Sequence, residues 1–282
     1  AGKSIAEHLP HPLPQRHGLM SAWLLYLVLG ALAGVMAGLL GIGGGLVLVV
    51  ALAWLLPTQG IPVEAAMHAA LATSLASIVL TGLSSARSHH RRGSVRWTTV
   101  RWLVPGMLLG GWLGSVVAVG LDGQVLRWVV AGYCFLAAAQ LLWGQPRPRS
   151  EAQGDPRGPA MSAAGAGIGG VSAVVGIGGG SMTVPLLVWL GVAPVRAVGT
   201  SAACGVAIAL ASAAGYAYNA PAGALPGLSV GYVYLPAALG VAVASVLCAP
   251  LGVRLAHAIS GPTLTRVFAG FLALVGLSLL AG

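Results

Sequence analysis

Charge is scarce in this sequence. Of its 282 residues 14 are Lys or Arg and 5 are Asp or Glu, 7% in all, against roughly a quarter in a soluble domain. That is too little polar surface to cover a water-soluble particle of this size. With 57% hydrophobic residues spread along the whole length and a mean hydropathy of +0.90, the chain reads as a polytopic integral membrane protein whose surroundings are the lipid bilayer. Acids are scarcest of all: Glu7, Glu64, Asp122, Glu151 and Asp155 fall in termini or between apolar stretches. No carboxylate is therefore placed to relay protons or hold a cation at membrane depth. Cysteine occurs three times, as Cys134, Cys204 and Cys248, each alone in an apolar segment without CxxC spacing. This excludes a disulfide framework and a zinc site and leaves small buried thiols. The first apolar run, from Leu19, lacks a small-residue cleavage site followed by polar sequence, so no cleavable leader is expected. No nucleophile, base and orienter can be assembled from the membrane polar residues, and no cofactor motif is found; neither an enzyme nor a cofactor is expected.

The surplus of +9 looks suited to nucleic acid, but it comes from 13 Arg and one Lys set between apolar stretches. It is a topology signal, and no nucleic-acid partner is expected. The apolar stretches lie at 19–40, 46–56, 65–86, 97–119, 125–143, 161–177, 181–191, 197–217, 231–252 and 262–281, ten in two groups of five. Between the groups the run QPRPRSEAQGDPRGP is rich in Pro, Gly and charge and reads as an exposed linker. The expected organisation is an N-terminal extension over 1–18, a first membrane repeat over 19–144, a cytoplasmic linker over 145–160 and a second repeat over 161–282. The halves share landmarks: Gly41-Ile42-Gly43-Gly44-Gly45 recurs as Gly176-Ile177-Gly178-Gly179-Gly180, Thr73-Ser74 recurs as Thr200-Ser201, and Pro105 is matched with Pro236.

Length separates the segments. About 20 helical residues are needed to cross a hydrocarbon core of about 30 Å, and 11 reach only about 16 Å. Leu46–Leu56 and Ser181–Gly191 are therefore expected to be half-helices, each starting after a glycine run. Unwound backbone at membrane depth is tolerated only where protein buries it or water reaches it, so the two breaks point to a shared central cavity. Glycines at small-xxx-small spacing, Gly34/Gly38 and Gly106/Gly110/Gly114, are expected to let helices pack closely.

Charge orders the loops. Arg87–Arg96 (RSHHRRGSVR) and the linker with Arg147, Arg149 and Arg157 are basic and are expected to be cytoplasmic, with His89-His90 part of that solvated signal. In the second half the bias reverses: Tyr218–Val230 has no charge, while Arg196, Arg254 and His257 fall where the first half has no basic residue. Five segments per half produce such a reversal. The expected fold is all-α, with two inverted five-segment repeats each carrying a Gly-broken half-helix, and with both termini outside. Four crossings per half plus a re-entrant half-helix, giving parallel repeats, is the alternative.

A glycine run at a helix start offers unpaired N–H groups and the positive end of a helix dipole, about half an elementary charge. Two such starts facing one cavity can hold an anion without any Arg. The candidate substrate-binding residues are Gly43, Gly44, Gly45, Gly178, Gly179 and Gly180, with the hydroxyls of Thr73, Ser74, Ser181, Thr200 and Ser201. The competing reading of the glycines is helix packing, and of the hydroxyls, bonds to neighbouring backbone. His68, near the start of the third segment, is either an interfacial histidine satisfied locally or a proton carrier. No metal site is expected.

These elements, taken with Met182-Thr183-Val184-Pro185-Leu186 after the second glycine run, Ala72 before Thr73, Gly199 before Thr200, and His90-Arg-Arg-Gly93-x-Val95, resemble the TauE/SafE sulfite exporter family, or TSUP permeases. The resemblance covers nearly all of 19–281, and its most specific part is the duplicated glycine motif with Thr-Ser. One departure is that Leu46-Val47-Leu48-Val49-Val50 stands where the second half has the Val184-Pro185 step, so the half-sites need not be equivalent. The resemblance implies a permease or exporter of the inner membrane, moving a small organosulfur or sulfur oxyanion such as sulfite, a sulfonate or sulfoacetate. The alternatives are a carrier of another carboxylate or a metal ion, and a non-transporting scaffold or sensor subunit. A homodimer is left open.

Overall fold

The computed structural model describes residues 16–40, 44–143, 154–258 and 261–281. The N-terminal extension, Gly41 to Gly43 and most of the linker lie outside the described residues. Ten helices follow the ten apolar runs: α1 (Arg16–Leu40), α2 (Gly45–Leu55), α3 (Val63–Arg91), α4 (Trp97–Val119), α5 (Gly123–Trp143), α6 (Pro159–Val175), α7 (Gly180–Trp189), α8 (Pro194–Tyr218), α9 (Leu235–Ala258) and α10 (Gly261–Ala281). In hydrocarbon a backbone must satisfy its own hydrogen bonds, so an apolar run of this length has the helix as its open option. Besides these, the described residues form a 3₁₀ turn at Pro57–Gln59 and a two-stranded hairpin, β1 (Ser229–Val230) with β2 (Val233–Tyr234). Pro159 and Pro194 open α6 and α8, where the missing N–H has no helical partner to lose.

Small residues decide how the helices meet. Gly30, Gly34 and Gly38 of α1 lie against Val241, Ser245 and Ala249 of α9, so closely that an added Cβ would strike α9 backbone. Gly106, Gly110 and Gly114 of α4 lie in the same way against Ser162, Ala166 and Gly170 of α6. The expected small-residue seams are therefore present, and each joins a helix of one half to a helix of the other. Both seams ascend together in number, so α1 runs parallel to α9 and α4 parallel to α6. Helix α3 joins the first set, with Ser77 donating to the Ala238 carbonyl (3.3 Å) and Ser84 to that of Val246 (2.9 Å). Helix α8 joins the second, where Ser212 donates to the Gly111 carbonyl (3.3 Å) and Gly215 packs on Ser115.

The two sets run in opposite senses. The segment after α3 meets the start of α8, Ser94 against Gly199 and the Arg96 amide donating to Thr200 Oγ1 (3.0 Å). The hairpin after α8 meets α3 near its start, the Tyr234 amide donating to Thr73 Oγ1 (3.0 Å). Arg96 also pairs with Asp155, at the end of the linker, so the α3–α4 turn and that part of the linker share one face of the molecule.

Three sequence expectations change. Helix α3 continues through Arg91, so His89 and His90 lie in its last turn rather than in a loop. His89 is buried beside the Gly38 carbonyl (3.3 Å), whereas the His90 ring takes the Trp97 indole N–H (3.1 Å). Pro105 lies inside α4, but Pro236 is the second residue of α9, whose internal proline is Pro250. The two prolines are not counterparts, because a proline in a first helical turn and one in a helix interior do different things to the backbone.

Candidate functional site

The half-helices are 11 residues (α2) and 10 residues (α7) long. Each starts at a left-handed glycine, Gly44 at φ 65° and Gly179 at φ 72°, a conformation that costs an L side chain about 1–2 kcal/mol. Gly176, at φ 77°, likewise ends α6. The glycines thus turn the chain back sharply enough to begin a second helix inside the protein: Gly44 returns against the backbone of Ala33 in α1. The breaks meet. A Cβ on Gly45 would stand 2.6 Å from the Gly176 carbonyl oxygen and 3.0 Å from Cα of Ile177. Ser74 Oγ lies 3.3 Å from the Gly45 carbonyl and 3.2 Å from that of Gly176, a hydroxyl donor between the two breaks.

The remaining candidates divide by what holds them. Thr73 and Thr200, both fully buried, accept matched backbone amides from the opposite half, Tyr234 and Arg96. These hydroxyls pin the α3–α4 turn of the first half and the hairpin of the second each to the opposite half, and each retains its own proton to donate. Ser201 is buried beside Thr200 on α8. Ser181, on the first turn of α7, bonds the Tyr133 hydroxyl of α5. Gly180 is the first residue of α7 and is buried. Gly43 lies outside the described residues. His68 is not at the breaks: its Nε2 is 3.2 Å from the Ala118 carbonyl and 3.0 Å from that of Leu121, at the end of α4, and its ring stacks on Tyr232 at 4.8 Å. Two carbonyl acceptors require the hydrogen on Nε2; Nδ1 has no partner among the described residues.

Between the halves lies a small cavity of about 10 Å³, room for about one water. Ala37, Ile78, Gly82, Ser85, Gly178 and Gly205 line it. Two larger concavities, about 450 and 590 Å³, are walled by outward-facing Leu and Val such as Leu113 and Leu247, the surface a bilayer covers. Among the described residues the buried polar side chains are Ser, Thr and His, together with the phenols of Tyr26, Tyr216 and Tyr232. No three His, Cys, Asp or Glu side chains among the described residues come together as a metal site.

Two residues near the breaks escaped the sequence reading. Ser85 borders the cavity that Gly178 also lines, and Ser172 Oγ lies 3.3 Å from where a Cβ on Gly179 would stand. Ser172 sits one helical turn before Gly176, and that spacing is the signal that could have found it. Ser85 has no such mark.

The family model described as sulfite exporter TauE/SafE matches residues 26–279. A probable membrane transporter protein of Haemophilus influenzae is 35% identical over 262 residues, covering 91% of this chain and 97% of its own. A probable membrane transporter protein of Methanocaldococcus jannaschii is 23% identical over 269 residues, with 91% and 94% covered. No solved structure matches the chain.

Proposed function

The chain belongs to the sulfite exporter TauE/SafE family, a family of membrane transporters, and from that premise we propose that it carries a small sulfur oxyanion, such as sulfite, a sulfonate or sulfoacetate, by alternating access in the inner membrane. The observation that carries this reading is the meeting of the two glycine breaks, the start of α2 at Gly45 lying against Gly176, where α6 ends ahead of α7, within a core whose described buried polar groups are hydroxyls and histidines. An unpaired anion in hydrocarbon would cost tens of kcal/mol on a Born estimate. Helix N-termini and hydroxyls offset that cost, and they do so without a fixed cation that would hinder release. The residues assigned to the anion are Gly43 to Gly45, Gly178 to Gly180, Thr73, Ser74, Ser181, Thr200 and Ser201.

Residues 19–144 and 161–282 act as inverted repeats about that site, the linker 145–160 being cytoplasmic and both termini outside. The opposed directions of the α1/α3/α9 and α4/α6/α8 sets support this arrangement, and such repeats rock about a midplane site in many carriers. In a chain without native cysteines, Arg91→Cys and Ala222→Cys, both at exposed positions, are expected to react with a membrane-impermeant thiol reagent from opposite sides. Reaction of both from one side overturns the inverted arrangement. The transport reading itself is tested with the purified chain in proteoliposomes. Labelled sulfite is expected to enter saturably, with methanesulfonate competing; uptake no faster than into empty liposomes for sulfite and for sulfonates sinks it.

A further inference from the structure

Four buried hydroxyls have no hydrogen-bond partner among the described residues: Ser85, Thr99, Ser172 and Thr183. Each is at most 1% exposed. Buried hydroxyls without partners are rare in folded proteins, because each gives up its bonds to water and receives nothing in return. Three of the four gather at one place. Ser172 Oγ lies beside Gly179, Ser85 borders the cavity that Gly178 also lines, and the Thr183 amide closes the first turn of α7 on the Gly179 carbonyl (2.9 Å). Residues four apart share a helix face, so the Thr183 side chain lies over the Gly179 position. Thr99 stands apart, in the first turn of α4.

The first break has no such donors around it. Matching Gly41–Gly45 to Gly176–Gly180 pairs Ser172 with Ala37, Ser181 with Leu46 and Thr183 with Leu48, and all three counterparts are buried apolar side chains. Matching Thr73 to Thr200 pairs Ser85 with Ser212, whose hydroxyl is already donated to Gly111. The backbone device is duplicated and the side-chain donors are not.

We propose that the anion is gripped unequally, with Ser172, Thr183 and Ser85 donating one hydrogen bond each to an oxyanion head seated at the Gly178–Gly179 turn, and the first break supplying no unpartnered hydroxyl of its own. This rests on the oxyanion reading and deepens it. Three donors match the three oxygens of a sulfite or sulfonate head, whereas a planar carboxylate has only two to offer. The site therefore selects R–SO3⁻ and SO3²⁻ over R–COO⁻. These are binding and specificity residues with no part in holding the fold, since none of them has a bond to a described residue to lose.

The test is labelled-sulfite uptake into proteoliposomes by the full chain and by Ser85→Ala, Ser172→Ala and Thr183→Val, with methanesulfonate and acetate as competitors. Each variant's thermal unfolding is followed in parallel. A lost hydrogen bond to a charged group is worth roughly tenfold or more in affinity. Each variant is therefore expected to raise the sulfite KM about tenfold, to weaken methanesulfonate more than acetate, and to unfold no earlier than the wild type. Thr183→Ser, which keeps the hydroxyl, is expected to restore KM, and Thr99→Val, equally buried but away from the breaks, to leave it unchanged. If the wild type moves sulfite and all three variants keep its KM, the unequal site is overturned while the transport reading stands. KM values that rise only in step with earlier unfolding overturn it too, because they assign the hydroxyls to the fold. If the wild type moves neither sulfite nor methanesulfonate, the transport reading falls and takes this site with it.

Discussion

The two glycine breaks begin as copies and differ in what surrounds them. At Gly44 the chain turns back against the backbone of Ala33, a wall with no side chain to move aside. At Gly179 the nearest atoms are the tips of Ile208 and Ile168 and the hydroxyl of Ser172. The first break leads into Leu46 and Leu48, both packed in the apolar core, and the second into Ser181 and Thr183. Duplication has kept the backbone geometry that a half-helix start requires and let the side chains diverge. One copy is thereby suited to closing the structure and the other to meeting a polar ligand.

Substitutions at the glycines probe that contrast most strongly. Gly44→Ala combines about 1–2 kcal/mol of left-handed strain with a collision against backbone, and is expected to abolish recovery of folded protein from the membrane. Gly179→Ala carries the same strain of about 1–2 kcal/mol but meets side-chain tips that can shift. It is expected to fold with a lowered unfolding temperature and impaired sulfite uptake. Equal recovery of the two proteins would erase the distinction between a walled and a yielding break.

The threonines form the control pair, since here the halves are alike. Thr73→Val and Thr200→Val each leave a backbone amide without its acceptor, at a cost of about 1 kcal/mol. Thermal unfolding in detergent should therefore fall by similar amounts in the two, and a large difference between them would break the symmetry of the paired amide contacts. The smallest effect belongs to the Arg96–Asp155 pair, which is partly solvent-exposed. Asp155→Asn is expected to change stability by less than about 1 kcal/mol, with a shift that shrinks further in high salt.

Much of this is written in the sequence, for a physical reason. Apolar run length sets helix length when the solvent is hydrocarbon, so the ten segments and the shortness of α2 and α7 are visible before any coordinates. The same holds for the close seams at Gly34, Gly38, Gly106, Gly110 and Gly114, where a side chain has nowhere to go. What a hydroxyl bonds to depends on which helix lies opposite, and no local pattern encodes that. Thr73 and Thr200 looked like ligand contacts by their duplication, yet their first partners are the amides of Tyr234 and Arg96. Ser85 and Ser172 look like many other serines in the chain and become distinctive only when burial removes their partners. His89 reads as a solvated loop residue in a basic run, but α3 extends far enough to bury it against α1.

The most direct measurement sets one hydroxyl of each kind side by side: Thr183, buried without a described partner, and Thr200, buried with the Arg96 amide. Sulfite KM and unfolding temperature are determined for Thr183→Val and Thr200→Val in the same lipids. An unequal grip at the second break requires Thr183→Val to raise KM roughly tenfold without lowering the unfolding temperature, while Thr200→Val lowers that temperature. A Thr183→Val protein that unfolds early and keeps the wild-type KM would contradict it.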